Sequence, residues 1–406
     1  MEEAYGIRRF QPERDLERLE AYLRQRWQES RKPVSWLPQR LHDLYYRMSA
    51  MEADEGRPRS ADYIFLWERG GEIAACLLPD GENVYFSQKP GHEALFPAML
   101  AFAEQNCLPL FRQAEDGRVK FWAAVSEGMP GARQLLEARG YQPFPEKEYM
   151  SGAGPLLPGQ ELSLPKGFRL LCGEDWPDEA EKWSALRLGF HPELEGTDYR
   201  APMGPYLARK GSSLYPDSFE CLVVTDNAAE ANRVCAYCFV YVDRQSRTAQ
   251  IEPVSTREPY QHRGFGRAMM QAALRRCAEL GLEKCYVDSF GWRRDFYAAA
   301  GFTLEDSVSF WSRMLPADLA QLGFCGVDCG ACPDFSSGKC PGCRKSQWPP
   351  EDPCPPVGCC REKNISCCGD CRDFPCRMMA DFYAESDSHR AALARMKNLA
   401  APHKNA

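Results

Sequence analysis

Twelve cysteines fall within 52 residues, from Cys325 to Cys376, whereas the other eight are spread over residues 1–324. A window with so many thiols has few aliphatic side chains, so it needs cross-links or metal ions to hold a folded core. Disulfides serve this purpose in oxidising compartments, while clustered thiolates in a reducing cytosol more often bind metal. The cluster therefore separates a small cysteine-rich module from a longer, ordinary globular part.

Charge and hydrophobicity limit the partners and the location of the protein. The chain has 50 basic and 57 acidic residues, a net charge of −7, which argues against a nucleic-acid partner. Its longest purely apolar stretch, residues 234–242, is far shorter than the ~20 residues of a membrane span. The N-terminus shows neither the basic head nor the apolar region of a secretory signal. We therefore expect a soluble, cytoplasmic protein without a membrane or nucleic-acid partner, and the sequence leaves its oligomeric state open.

The globular part reads as two diverged copies of one pattern of strands and helices, in residues 1–152 and 167–316. Residues 153–166 contain three prolines and two glycines, which is typical of a linker. A Gln-x-x-Gly turn occurs in both copies, at Gln88/Gly91 and at Gln261/Gly264. A glycine followed by an aromatic residue also occurs in both, at Gly140/Tyr141 and at Gly301/Phe302. The cysteine-rich module then occupies residues 323–400, which we expect to end in one helix.

The most informative stretch is the predicted strand 248–255, followed by the turn QHRGFG at residues 261–266 and a predicted helix over residues 264–280. Small residues there let backbone N–H groups approach an anion, and the helix N-terminus adds a partial positive charge. Arg263 and Arg267 add formal charge. The spacing fits neither the GxxxxGK[ST] of a Walker loop nor the GxGxxG of a Rossmann site.

The turn, together with the downstream sequence FYAAAGF at residues 296–302, resembles the GCN5-related N-acetyltransferases (GNAT). The resemblance is close over residues 165–316 and weak over residues 1–152. It implies an α/β (α+β) protein with two tandem GNAT folds, each a mixed, mainly antiparallel sheet flanked by helices, plus the small metal-binding module. It also implies acetyl-CoA as the donor substrate.

By this resemblance, backbone amides in the turn would bind the pyrophosphate of CoA, and the strand before it would pair with the pantetheine arm. The cofactor-binding residues implied are Val254, Ser255, Gln261, His262, Arg263, Gly264, Phe265, Gly266 and Arg267. Glu252 stands where several family members place a general base or a residue that acts through water. Tyr297 would protonate the departing CoA thiolate, since a phenol of pKa ~10 suits a thiolate leaving group. Phe290 stands where many members have Asn, which is a departure from the family pattern.

The first copy lacks these features. Glu93 occupies the place of the second small residue of the turn, where a carboxylate would repel phosphate, and Leu136 occupies the place of Tyr297. A second active site is the alternative, but we expect the first copy, residues 1–152, to be a degenerate domain that acts as a scaffold.

The cysteine module contains three C-x2-C pairs, whose spacing lets two sulfurs reach one metal ion from a tight turn. It resembles a cysteine-rich domain family of unknown chemistry, DUF3795, in its CGxDCxxC and CxxCxxFPC segments. The predicted ligands are Cys325, Cys329, Cys332, Cys340, Cys343, Cys354, Cys359, Cys368, Cys371 and Cys376. Zinc is the favoured metal, and an iron–sulfur cluster is the alternative because all-cysteine ligation suits both.

The sequence thus predicts an acyltransferase that moves an acetyl group from acetyl-CoA to a small-molecule or peptide amine. Two alternatives stay open: a CoA sensor whose cysteine module responds to metal or redox state, and transfer of a longer acyl group. The acceptor itself is not encoded in any motif.

Overall fold

The structure is a computed structural model that describes residues 4–33, 36–115, 117–154, 164–172, 178–197, 199–216, 219–226, 233–317, 321–329, 335, 337–339, 341–344, 354–384 and 386–399. Contacts group the chain into two compact units. Unit 1 comprises Met1–Phe10, Tyr63–Pro145 and Ser309–Ala406, and unit 2 comprises Gln11–Asp62 and Glu146–Val308. Residues 11–62, assigned by sequence to the first copy, thus group with the second. The four-part division of the sequence stays a prediction.

Both units contain a mixed sheet. The strands are β1 (Gly6–Arg9), β2 (Phe65–Arg69), β3 (Glu72–Asp80), β4 (Asn83–Gln88), β5 (Arg118–Ser126), β6 (Gln142–Ala153), β7 (Phe168–Cys172), β8 (Cys221–Thr225), β9 (Val234–Asp243), β10 (Thr248–Thr256), β11 (Lys284–Phe290) and β12 (Thr303–Pro316). In unit 1 the sheet order runs from β1 to β5, and in unit 2 it is β6-β11-β10-β9-β8-β7. β4 with β5 and β10 with β11 pair in parallel, whereas the other pairs of defined register are antiparallel.

Helices flank these sheets. They are α1 (Pro12–Ser30), α2 (Pro38–Asp43), α3 (Ser49–Asp54), α4 (Phe96–Asn106), α5 (Ala132–Ala138), α6 (Glu179–Phe190), α7 (Gly204–Arg209), α8 (Phe265–Glu279) and α9 (Arg294–Ala299). A π-helical turn, Leu44–Met48, joins α2 to α3. The described residues of the cysteine-rich segment form three more helices: Pro355–Glu362, Arg377–Ala384 and Asp387–Leu399. The predicted fold class, mixed and mainly antiparallel sheet flanked by helices, is confirmed.

Unit 2 has apolar cores on both faces of its sheet. On one face α8 buries Phe265, Met269 and Leu274 against β9 and β10, and each such side chain contributes roughly 1.5–3 kcal/mol by leaving water. On the other face, Trp183 of α6 and Tyr206 of α7 pack on the tyrosines of β9. The sheet of unit 2 is therefore covered by packed apolar side chains on both of its faces.

In unit 1 the cysteine-rich segment has its own small core, which includes Phe324, Val357 and Met396. A buried ion cluster joins this segment to the rest of the unit. Arg139 donates to Glu104 at 2.6 Å and to Asp370 at 3.2 Å, and Arg313 donates to Asp370 at 2.6 Å. Burial alone would raise the pKa of Asp370, but Arg313 and Arg139 hold it below its ordinary value. Asp370 is therefore an anion in the folded protein.

One prediction about secondary structure was wrong, and one strand was not predicted. The single helix expected at the end of the cysteine module is two helices, Arg377–Ala384 and Asp387–Leu399. The second begins where Ser386 Oγ accepts a hydrogen bond from the His389 N–H at 3.2 Å, as a helix cap does. The strand β6 was missed because Pro143 and Pro145 lie in its first half, and proline is rare inside strands.

Candidate active site

A bulge in β10 marks the centre of the candidate site. Ile251 pairs with Val240 and Val254 pairs with Cys238, so Glu252 and Pro253 together face one residue of β9. An extra residue of this kind bends its strand and changes the direction of the side chains around it. Glu252 is therefore displaced from the regular alternation of the strand.

Beyond the bulge β10 separates from β11. The parallel pairing runs only from Thr248↔Lys284 to Gln250↔Tyr286, although β10 continues to Thr256 and β11 to Phe290. No further pairing between these two fully described strands is present. The separation leaves backbone groups of β10 facing a gap between two parallel strands, and an extended ligand can pair with such an edge.

Val254 and Ser255 lie on the β10 side of this gap. Their side chains, however, are buried, and Ser255 Oγ donates to the Leu186 carbonyl of α6 at 2.9 Å. Any contact of these two residues with a ligand in the gap would therefore be made by the backbone.

The turn after β10 leads into the N-terminus of α8. Gly264 has φ +84°, a left-handed conformation that favours glycine, and α8 begins at the next residue. The first N–H groups of a helix have no partner within the helix and point outward. Gln261 and Arg263 brace the turn by donating to the carbonyls of Thr256 and Pro259, each at 3.1 Å.

The other residues of the turn and the first residues of α8 differ in their burial. The Phe265 side chain is buried in the core, whereas His262 and Arg267 are exposed. Gly266 is small for a reason that the sequence did not reveal. A Cβ at this position would lie 2.7 Å from Cζ of Phe296, so the ring packs directly over the glycine.

Tyr297 lies on α9 and is buried, with 4% of its surface exposed. Its carbonyl accepts from the N–H of Phe302 at 3.1 Å, which closes the helix beneath the ring. Burial raises the pKa of the Tyr297 phenol, and the nearby carboxylates of Glu252 and Asp288 raise it further against the opposing effect of Arg293. The Tyr297 phenol is therefore neutral at neutral pH and lies within electrostatic range of Glu252.

The Glu252 side chain is 32% exposed and faces a guanidinium. Arg47 Nη2 lies 3.6 Å from Glu252 Oε1, and Asp43 fixes the same arginine with bonds of 2.7 and 2.5 Å. Tyr241 of β9 donates to Asp43 at 2.8 Å. The position of the candidate base is therefore coupled to the segment between α2 and α3.

The sequence analysis did not predict that Arg47 and Asp43 lie beside Glu252. It also did not assign Gln250 and Asp288 to the candidate site. Arg40, Asp43 and Arg47 follow the spacing of one helix face, and Gln250 and Asp288 are polar residues inside otherwise apolar strands. Either pattern could have drawn attention to these positions. Only the folded chain shows that both belong to one region of unit 2.

The corresponding turn of unit 1 has the same glycine conformation but different surroundings. Gly91 has φ +82°, and its N–H donates to the Glu93 carboxylate at 3.1 Å. The register of β3 and β4 runs without a bulge from Asp80↔Asn83 to Ala75↔Gln88. Leu136 is fully buried, and its carbonyl accepts from Tyr141 N at 3.0 Å, matching the pattern of Tyr297 and Phe302.

The cysteine-rich segment gives the metal prediction little support. Among the described residues, no three His, Cys, Asp or Glu side chains form a group that could hold a metal ion. Two predicted ligands, Cys332 and Cys340, lie outside the described residues. Cys360 Sγ, which was not predicted as a ligand, lies 3.8 Å from Cys368 Sγ. Two sulfurs bound to one zinc ion at ~2.3 Å have about this separation.

In the part of the chain that the structure describes, no helix is long and apolar enough to cross a membrane.

Comparison with known proteins identifies the central part of the chain. Residues 183–302 match the sequence model of the Acetyltransferase (GNAT) family. The match begins within α6 and extends past α9, and it includes the bulge, the gap and the turn, so this part of the chain is similar to a GNAT acetyltransferase domain.

One solved structure supports the same fold. A GCN5-related N-acetyltransferase from Sphaerobacter thermophilus is 16% identical and superposes with a TM-score of 0.50 over 66% of this chain and 90% of that one. A tandem GNAT protein from the clavulanic acid biosynthesis pathway is 18% identical, with a TM-score of 0.43 over 67% of this chain and 94% of that one. No curated protein sequence matches the chain.

Proposed function

We propose that the protein transfers an acetyl group from acetyl-CoA to an amine acceptor. The observation that carries this proposal is the gap between β10 and β11, which opens at a bulge beside Glu252 and ends in a glycine turn at the N-terminus of α8. An extended thioester with an anionic end matches such a gap followed by unpartnered N–H groups.

In this proposal the donor lies along β10. The backbone amides of residues 263–267 bind the pyrophosphate, with added charge from Arg263 and Arg267. The backbone of Val254 and Ser255 pairs with the pantetheine arm. Backbone N–H groups near Val254 polarise the thioester carbonyl and stabilise the oxyanion that develops there.

The proton transfers involve two side chains. The amine nitrogen attacks the thioester carbon, and Glu252, directly or through water, takes the proton that the nitrogen loses. The C–S bond then breaks, and Tyr297 donates its phenolic proton to the thiolate. Its raised pKa keeps the phenol protonated at neutral pH, which is the form that this step requires. Such acid–base help is worth ~10²–10⁴-fold in rate.

The rest of the chain has proposed supporting roles. We assign residues 1–152 to a degenerate GNAT-like scaffold, 153–166 to a linker, 167–316 to the catalytic domain and 323–400 to a DUF3795-like module. The Gly91 N–H already bound to Glu93 supports the loss of phosphate binding in the first copy.

A metal ion in the cysteine module remains a proposal, with zinc preferred over an iron–sulfur cluster. The density of thiols and the 3.8 Å separation of Cys360 and Cys368 support it. Elemental analysis after anaerobic purification tests it, with about two zinc ions expected per chain because ten thiolates exceed one tetrahedral site. If the analysis finds iron with labile sulfide, the module binds an iron–sulfur cluster and not zinc. If the protein is free of metal and the module is still folded, both metal assignments are excluded.

A screen of amines with acetyl-CoA, read out as free CoA thiol, tests the proposed function. We expect thiol release with some amines and its loss in Glu252→Gln. If acetyl-CoA binds but no amine releases thiol, the protein is a CoA sensor. A parallel series of longer acyl-CoA donors tests the choice of acetyl.

A further inference from the structure

Two polar side chains meet at the closed end of the gap. Gln250 is the last residue of β10 that pairs with β11, and Asp288 stands two residues beyond its partner, Tyr286. Gln250 Nε2 donates to Asp288 Oδ2 at 2.8 Å. Since a carboxylate only accepts, this bond fixes the orientation of the amide, and the carbonyl oxygen of Gln250 points elsewhere.

The carbonyl oxygen Oε1 of Gln250 is unusual in being buried without a hydrogen-bond donor in the described part of the chain. Gln250 is 1% exposed, and its Oε1 has no hydrogen-bond partner among the described residues. A buried carbonyl oxygen without a donor is rare in folded proteins and calls for an explanation at each position. A ligand N–H group would supply the missing donor.

The surrounding charges favour a cation. Asp288 lies 3.4 Å from Arg40, but the same guanidinium also pairs with Glu148 at 3.1 Å. Arg47 is likewise shared between Asp43 and Glu252. Because each guanidinium is shared by two carboxylates, an ammonium group would be attracted to this place, whereas a further carboxylate would be repelled.

The side chains of Glu252, Asp288 and Gln250 differ in their exposure to solvent. The Glu252 side chain is 32% exposed, the Asp288 side chain is 10% exposed, and Gln250 is buried. Solvent exposure therefore falls along this row from Glu252 to Gln250. A small cationic head at the buried end would leave the remainder of the molecule toward Glu252.

We propose that Asp288 and Gln250 seat the amino group of the acceptor, and that the acceptor is a cationic amine without a carboxylate on the carbon that bears the amine. This inference rests on the proposed function and names its substrate class. Gln250 Oε1 accepts an N–H of the ammonium, and Asp288 balances its charge. The nitrogen loses one proton before attack and a second as the C–S bond breaks. One proton reaches the thiol through Tyr297, and the other leaves to solvent.

Pairs of amines that differ only by the carboxylate test this assignment, with tyramine against tyrosine and tryptamine against tryptophan, because each of these molecules has a single amino group. We expect kcat/KM with acetyl-CoA to be at least tenfold higher for the decarboxylated member of the pair that reacts. Asp288→Asn should raise the KM for the amine about tenfold, reduce the preference within the pair and leave the Kd for acetyl-CoA unchanged.

Two further variants keep the test decisive. Asp243→Asn is the matched control, because Asp243 is a buried carboxylate of unit 2 that pairs with Arg24 instead. It should alter stability but not the preference. If Asp288→Asn does not fold, Gln250→Met, which lacks the carbonyl oxygen, should raise the KM for the amine in the same way.

Two results would overturn the inference while leaving the proposed function intact: amino acids that react as well as their decarboxylated partners, or an Asp288→Asn protein that behaves like Asp243→Asn. Failure of the proposed function has a different signature, since no amine of any charge would then release thiol.

Discussion

The two glycine turns, around Gly91 in unit 1 and Gly264 in unit 2, have nearly the same backbone but different chemistry. Their φ angles are +82° and +84°. In unit 1 the glycine N–H is bound by the Glu93 carboxylate, and the strand before it has no bulge. In unit 2 a bulge precedes the turn, and a second glycine follows it under Phe296. A glycine in the left-handed conformation therefore forms the turn in both units. The residues around that glycine decide whether the turn is able to bind a phosphate.

The parallel strand pairs extend this comparison. β4 and β5 pair only at Val84↔Ala123 and Tyr85↔Ala124, so their pairing is even shorter than the three residue pairs of β10 and β11. Early separation of the strands is thus common to both copies. What distinguishes unit 2 is that Glu252 and Tyr297 are placed at the opening, whereas Leu136 fills the position of the tyrosine in unit 1.

The largest expected effect is the loss of donor binding when the second turn is given the acidic residue of the first. Gly266→Glu should abolish acetyl-CoA binding in calorimetry, because it puts a carboxylate beside the phosphate site and a side chain where Phe296 packs. Gly266→Gln has the same size without the charge, and separates the two causes. Undiminished binding by Gly266→Glu would place the phosphates elsewhere.

Next in size is the loss of the proposed acid. Tyr297→Phe should lower kcat ~10²-fold or more with little change in acetyl-CoA affinity, since an acid acts in the transition state. Tyr141→Phe is the control from unit 1, where the hydroxyl bonds Glu104 at 2.7 Å, and it should retain turnover. Wild-type turnover by Tyr297→Phe would leave Tyr297 with a packing role.

The raised pKa of Tyr297 also predicts a pH profile. Since burial holds this pKa above its ordinary value of ~10, the phenol stays protonated through that pH and loses its proton only at higher values. The kcat of the wild-type protein should therefore show no alkaline decline below pH ~10 from this group. A decline near neutral pH that vanishes in Tyr297→Phe would contradict the assignment.

A smaller effect is expected when either turn glycine becomes alanine. A Cβ on Gly91 or Gly264 would meet no atom within 4 Å, so only the left-handed backbone is strained. Each substitution should lower the free energy of unfolding of its unit by ~1–2 kcal/mol, measured by denaturant titration. Of the two, only Gly264→Ala should weaken acetyl-CoA binding. Equal binding losses would make the first turn functional.

The smallest expected effect is that of Glu93→Gly. It frees the Gly91 N–H, yet β4 still lacks a bulge and Leu136 still fills the tyrosine position. The number of acetyl-CoA molecules bound per chain should stay the same in calorimetry. A gain of a second molecule would show that the carboxylate alone silenced the first copy.

Local pattern was enough to predict much of unit 2. The alternation in β10, the glycine that precedes α8 and the Tyr-to-Gly spacing of α9 are all short-range signals, and the structure places each in the expected element. The contribution of Arg47 and Arg40 could not be predicted in this way. They meet Glu252 and Asp288 across more than 200 residues, and no local rule encodes such a contact. The roles of Gly266 and Ser255 depend on Phe296 and on α6 for the same reason.

The ion cluster of Arg139, Glu104, Arg313 and Asp370 bears on how this chain can be shortened, in the laboratory or in evolution. A gene that ended after Pro316 would remove Asp370 and Ser366, and would leave two guanidinium groups facing Glu104 alone. Both guanidinium groups would lose a charge-assisted hydrogen bond to the Asp370 carboxylate. The cysteine-rich segment and the two arginines therefore depend on each other, and we expect a shortened chain to be more stable when Arg139 and Arg313 are both replaced.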